Sequence, residues 1–125
     1  LRAHRRGGPE VLVVERAPVP VPAAGEVLVA VHAAAITFDE LTWDETWART
    51  PVTLSHEVSG VISEIAPGVT EFKPGDAVYG LIDFDRDGGA AELGAVPAAH
   101  LAAKPSTVSH AEAAALPLAG LAARR

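Results

Sequence analysis

The sequence has no cysteine and no methionine among its 125 residues. Without thiols there can be no disulfide, no thiol nucleophile and no cysteine-built zinc site. A chain with no methionine at all is expected to be a piece of a longer reading frame, or one with a non-methionine start. Aromatic residues are scarce, with three Phe, two Trp and one Tyr. The bulky core must therefore come from Val, Leu and Ile, because the many alanines bury little surface. Positive charge is in deficit: 10 Lys and Arg face 16 Asp and Glu, for a net charge of −6. That argues against a nucleic-acid binder working through a broad basic patch. The one basic cluster, Arg2, His4, Arg5 and Arg6, reads as an exposed tail. No apolar run approaches the ~20 residues of a membrane helix. The Val-rich run near the N-terminus is broken by Glu15 and Arg16, so it does not read as a signal peptide and the cytoplasm is the expected location. Glycine fingerprints for phosphate, Gly-x-Gly-x-x-Gly and the P-loop, are missing, as are the nucleophile-elbow and zincin patterns.

What remains is a globular composition, 49% hydrophobic and 21% charged, of one domain's length. Glu10–Glu15 is Val-rich and reads as a first strand. Pro18, Pro20 and Pro22 make Arg16–Gly25 a stiff extended connector. Val27, Val29 and Val31 alternate through Glu26–Ala35, as in a half-buried strand. Thr37–Arg49 is acidic and lacks Gly and Pro. Thr37 with Glu40, and Thr42 with Glu45, fit a helix-capping pattern, so one or two short helical turns are expected. Trp43 and Trp47 would then share a packing face.

Pro51–Ile65 is strand-like, and Gly60 within it suggests a bulge or a close backbone approach. Ala66-Pro67-Gly68 and Phe72-Lys73-Pro74-Gly75-Asp76 read as turns. Ala77–Ile82 is a short strand and Asp83–Gly89 a polar loop. Weaker strands follow through Ala103. Ser109 and Glu112 form a capping box that opens a helix, and Pro117 starts the next. About six short strands with helix only at the end point to an all-β barrel or sandwich with a helical lead-out.

Few residues invite chemistry by themselves. His56-Glu57 could be a metal ligand with its partner, or a proton relay, but a His is more often simply hydrogen-bonded. Asp83, Asp85 and Asp87 lack the rest of an EF-hand and read as a solvated loop. Gly88-Gly89 reads as a turn.

Three runs in order carry a resemblance: AGEVLVAVHAAAITFDEL (Ala24–Leu41), PVTLSHEVSGVISEIAPGVTEFKPGDAVYGL (Pro51–Leu81) and AAALPLAGLAA (Ala113–Ala123). Together they resemble the N-terminal half of a medium-chain dehydrogenase/reductase, in its zinc-free quinone oxidoreductase-like branch. The resemblance implies a mainly β, GroES-like, partly open barrel with a short helical insert. It implies a catalytic domain over residues 1–108 and a helical linker over 109–125, leading to a Rossmann domain absent from these residues. Ser55-His56-Glu57 resembles the family's Gly-His-Glu, with Ser in the Gly place. In the zinc enzymes that His binds the metal and the Glu can join it. Thr37 stands where the first zinc-binding Cys would fall and is a poor ligand, so no zinc is expected. Leu116–Ala123 resembles the link to the cofactor lobe, and Ala122 stands where the family often has a Thr near the nicotinamide.

The activity so implied is NADPH- or NADH-dependent reduction of a quinone or an α,β-unsaturated carbonyl. Thr37, Trp43, His56 and Glu57 are the implied catalytic residues, and Thr37, Leu116 and Ala122 the cofactor contacts. The expected partners are a small-molecule substrate and, at full length, a second copy of the protein. No nucleic acid or membrane is expected. The alternative is a non-catalytic GroES-like binding or oligomerisation module from a truncated gene. Coding sequence beyond Arg125 would separate the two, by showing or lacking a strand followed by a glycine-rich turn and helix.

Overall fold

The computed structural model describes residues 1–37 and 39–123. Phe38, within the first resembling run, and Arg124 and Arg125, at the end of the expected linker, lie outside the described residues. The chain is mainly β. A small antiparallel sheet is formed by β1 (Arg2–Ala3), β2 (Leu12–Val13) and β4 (Val52–Thr53), in the order β2-β1-β4. A larger antiparallel sheet is formed by β3 (Glu26–Ala35), β5 (Glu57–Ile65), β6 (Ala77–Leu81), β7 (Leu93–Pro97) and β8 (Leu101–Ala103), in the order β7-β3-β5-β6-β8. Both sheets are open, the arrangement of a GroES-like domain with no closed barrel among the described residues. Two helices, α1 (His110–Ala114) and α2 (Pro117–Ala123), end the described chain. No described helix is long and apolar enough to cross a membrane.

Each sheet has its own core. Val27, Val29, Val58, Ile62, Val78, Ile82 and Val96 are buried together between the strands of the larger sheet. Each such side chain contributes about 1.5–3 kcal/mol by leaving water. Ala3, Val11, Val52 and Leu54 make the smaller core, with Trp47 and Leu41 packed against it. The alternation of β3 is right, but Leu28 is buried as well as Val27 and Val29, so the start of this strand is covered on both faces.

β3 and β5 pair along most of their length, with a register shift between Val31 and Ala33. Gly60 sits opposite Val31 at that irregularity. A Cβ there would lie 2.2 Å from the Ala30 carbonyl oxygen, so the close backbone approach expected of this glycine is present.

Several local expectations need correction. Glu10–Glu15 is not one strand. Pro9 starts a 3-10 turn over Pro9–Val11, which turns Val11 into the small core and leaves only Leu12–Val13 to pair. Pro51–Ile65 is broken at Leu54–His56, and the described residues form eight strands where about six were expected. The helical insert consists of two 3-10 turns, Glu40–Thr42 and Asp44–Ala48, and neither has a side-chain cap. Their N-caps are Asp39 and Trp43, not Thr37 and Thr42. Because Trp43 is extended at a cap, Trp43 and Trp47 do not share a face: Trp47 joins the small core and Trp43 does not. The capping box at Ser109 and Glu112 is formed, both halves being present.

Candidate functional site

The site is built where the Glu40–Thr42 turn meets the break between β4 and β5. Beyond β3 the chain passes Thr37 and reaches Asp39, which holds a left-handed conformation at φ 61°. The next residue, Glu40, turns inward and is only 2% exposed. On the other side, the chain leaves β4 through Ser55, also left-handed at φ 70°. That conformation is one glycine adopts without strain, and it explains why the family pattern has glycine at this place. The Ser55 N–H donates to Glu40 Oε1 at 2.9 Å. His56 follows, 1% exposed, with Nε2 3.1 Å from the same carboxyl oxygen. The turn carrying Glu40 is held by Thr46, whose hydroxyl donates to the Glu40 carbonyl at 2.8 Å.

Burial dominates the chemistry of this pair. It pushes the Glu40 carboxyl above its ordinary pKa, against the opposing pull of the Ser55 and Thr37 backbone N–H groups. Burial likewise holds the His56 imidazole below its ordinary pKa, although the Asp83 and Ile82 carbonyls oppose it. Both directions favour neutral partners. Three buried atoms here have no hydrogen-bond partner among the described residues: Thr37 Oγ1, Glu40 Oε2 and His56 Nδ1. The arrangement has donor and acceptor capacity to spare in a water-poor place, which suits orienting a polar ligand group or passing a proton.

An aromatic wall stands against the pair. Phe84 crosses Trp43 edge-on, with centroids 5.2 Å apart and planes at 86°. The same ring lies 5.0 Å from the His56 ring. The loop carrying Phe84 is tied to the strand leading to His56. Gly88 and Ala90 donate to the Thr53 and Leu54 carbonyls, and the Thr53 N–H donates to Asp87 Oδ1. Gly88-Gly89 is therefore a close-approach segment and not merely a turn. A Cβ at Gly88 would lie 2.3 Å from the Leu54 carbonyl oxygen.

The other expected site residues lie apart. Glu57 points to the opposite side of its strand from its neighbour. Its Oε1 accepts the Leu118 N–H at 3.0 Å, so it holds the start of α2 and does not join His56. Leu116, between the two helices, and Ala122, on α2, are exposed. Leu121 is exposed too, whereas Leu118 is half-buried. The structure brings His56 together with Glu40 and, through Phe84, with Trp43. Glu40 and Phe84 were not singled out from the sequence. The Glu40 signal was present but ambiguous, because a Thr followed three residues later by Glu also reads as a cap. Among the described residues, no three His, Cys, Asp or Glu side chains converge as a metal site. Two grooves, of about 610 and 720 Å³, lie elsewhere, under the proline-rich connector around Pro18–Pro20.

Comparison with known proteins places this geometry in context. Residues 23–106 match the family model described as the alcohol dehydrogenase GroES-like domain. The chain is 36% identical over 116 residues to a protein of Arthroderma benhamiae named "Probable zinc-binding oxidoreductase, mitochondrial", covering 90% of this chain and 35% of that one. It thus spans about a third of that relative's length. It superposes on the quinone oxidoreductase from Coxiella burnetii with a TM-score of 0.91 at 26% identity, over 98% of this chain and 42% of the other. A mycobacterial protein solved in complex with NADPH matches with a TM-score of 0.88 at 29% identity, over 98% of this chain and 38% of its own.

Proposed function

The chain belongs to the alcohol dehydrogenase GroES-like domain family, within the medium-chain dehydrogenases/reductases, and on that premise we propose that it is the catalytic lobe of an NAD(P)H-dependent, zinc-independent oxidoreductase. Its substrate class is quinones or α,β-unsaturated carbonyls. The observation that carries this reading is the buried Glu40–His56 pair beneath an aromatic wall, beside the unpaired Thr37 hydroxyl. A polar pair of this kind, sealed from water, is costly to bury and suited to holding one polar atom of a ligand.

The donor set does not fit zinc. Thr37 offers a neutral hydroxyl, and the His56 Nε2 side already faces Glu40. Nor do these residues fit the pyrophosphate of a dinucleotide, because neither described helix opens from a glycine-rich turn. That seat belongs to a cofactor lobe beyond the 109–125 linker. When bound, NAD(P)H supplies the hydride. This chain's share is positioning. Thr37 Oγ1 donates a hydrogen bond to the substrate oxygen or to the cofactor ribose. Glu40 holds His56 in place behind it, and Trp43 walls the apolar part of the substrate. Leu116 and Ala122 face the cofactor lobe, and Ala122 offers it no hydroxyl. The longer protein pairs with a second copy of itself.

The test is a fusion of this chain to the dinucleotide-binding lobe of a matched relative. The fusion should oxidise NADPH when a quinone is added, and the 125-residue chain alone should not. A fusion that folds, binds NADPH and leaves every quinone and enone unreduced would overturn the reading. So would quinone-dependent loss of NADPH absorbance with the isolated chain.

A further inference from the structure

We propose that Trp43 and Phe84 form the specificity-determining corner of this site, and that the corner selects flat conjugated rings over open-chain enones. The inference rests on the oxidoreductase reading for its substrate class, but its own ground is the placement of the two rings. The chain has only six aromatic residues. Trp47 packs on the small core and Phe72 on the large one, whereas neither Trp43 nor Phe84 belongs to either. Both are half-buried, so each keeps ring surface open to solvent. Two rings crossing at 86° and 5.2 Å make a right-angled corner. A planar π system can stack on one wall while meeting the other edge to face, which an open chain cannot do.

The corner is also stiff. Beyond the Gly88 and Ala90 bonds, Arg86 ties the Phe84 loop to β3 through Glu26 at 2.8 Å and to β7 through the Ala95 carbonyl at 3.0 Å. A fixed corner loses little entropy when a rigid ring enters it. The His56 ring, 5.0 Å from Phe84, closes the inner side and sets the polar end of the ring toward the buried pair.

The indole N–H resonances of the 125-residue chain read this directly, since it has only two Trp. Trp47 serves as internal reference, because its Nε1–H is committed to the Leu41 carbonyl at 2.8 Å. The probes are 2-methyl-1,4-naphthoquinone and pent-3-en-2-one. The chain has no cysteine for either to alkylate. The naphthoquinone should shift the Trp43 signal saturably and leave Trp47 in place, and should bind roughly three- to tenfold tighter than the enone, the range of one aromatic contact. Phe84→Leu should erase that preference while the enone affinity stays. Equal affinities for the two probes, or a shift confined to Trp47, would overturn the proposal on the unmodified chain, whatever the variant does. Ring-selective binding with an inactive fusion sinks the oxidoreductase reading and spares the corner. An active fusion with no ring preference does the reverse.

Discussion

Replacing Gly60 with alanine should cost about 3 kcal/mol. The added methyl would stand 2.2 Å from the Ala30 carbonyl oxygen and 2.8 Å from Val29 Cγ1, where ordinary contact starts at 3.4 Å. The nearest atom is backbone, held in the β3–β5 ladder, so it cannot swing away as a side chain tip would. The two strands must part by more than an ångström at the place where their register already shifts. Overpacking of this kind costs about 1–3 kcal/mol, and each ladder bond stretched beyond use adds about 1 kcal/mol. With a urea slope of about 2 kcal/mol/M, the midpoint should fall by about 1.5 M. Valine, being larger and branched, should be worse. Gly120→Ala is the control. It lies in α2 with nothing within 4 Å, and should be neutral or stabilise by about 0.5–1 kcal/mol. A Gly60→Ala midpoint equal to that of the parent would refute the reasoning, since it would mean that β3 and β5 are not held at this spacing.

Glu40→Gln should gain stability relative to the parent as pH rises. A carboxyl with a raised pKa favours the fold below its ordinary pKa and loses that contribution as pH climbs through the raised one, while the amide does not titrate; a difference that stays flat across denaturant melts from pH 4 to 8 would contradict this. In the parent, His56 and His110 act in the opposite sense. Both are held below the ordinary imidazole range chiefly by burial, so their contribution is full above about pH 6.5 and fades as the solution is acidified. Ser55→Gly should stabilise by about 0.5–1 kcal/mol, by removing a side chain from a left-handed position; a lowered thermal midpoint would show that the serine side chain contributes more than its backbone costs. Metal analysis of dialysed protein should find no stoichiometric zinc, because Thr37 and a Glu40-bonded His56 make a poor donor set; about one tightly held zinc per chain would reverse that.

Much of the framework was legible from local chemistry. β3 occupies Glu26–Ala35, the bounds its valine alternation suggested. The Gly60 approach, the Ser109 cap and the Pro117 helix start each follow from a residue whose conformational preference has few alternatives. The errors have a common form. Thr37-x-x-Glu40 satisfied a capping pattern, yet the Thr37 side chain caps no turn and the Glu40 carboxyl accepts from the Ser55 N–H, fifteen residues away. Trp43 and Trp47 had helical spacing, but a 3-10 turn beginning after Trp43 gave them different neighbours. In both cases a local pattern had two physically sound outcomes.

By itself the sequence determined which segments are extended and where the chain must turn, because β-branching, proline and glycine act through the backbone of their own residues. It also determined the order of elements that marks the family. Only the tertiary structure decided that Glu40 meets His56 and that Phe84 meets Trp43. It also sent Glu57 to the other side of its strand, to hold α2. Those pairings join side chains from separate segments across a buried space. Their partners are set by strand register and by the route of the 83–90 loop, and no residue's own preference encodes either.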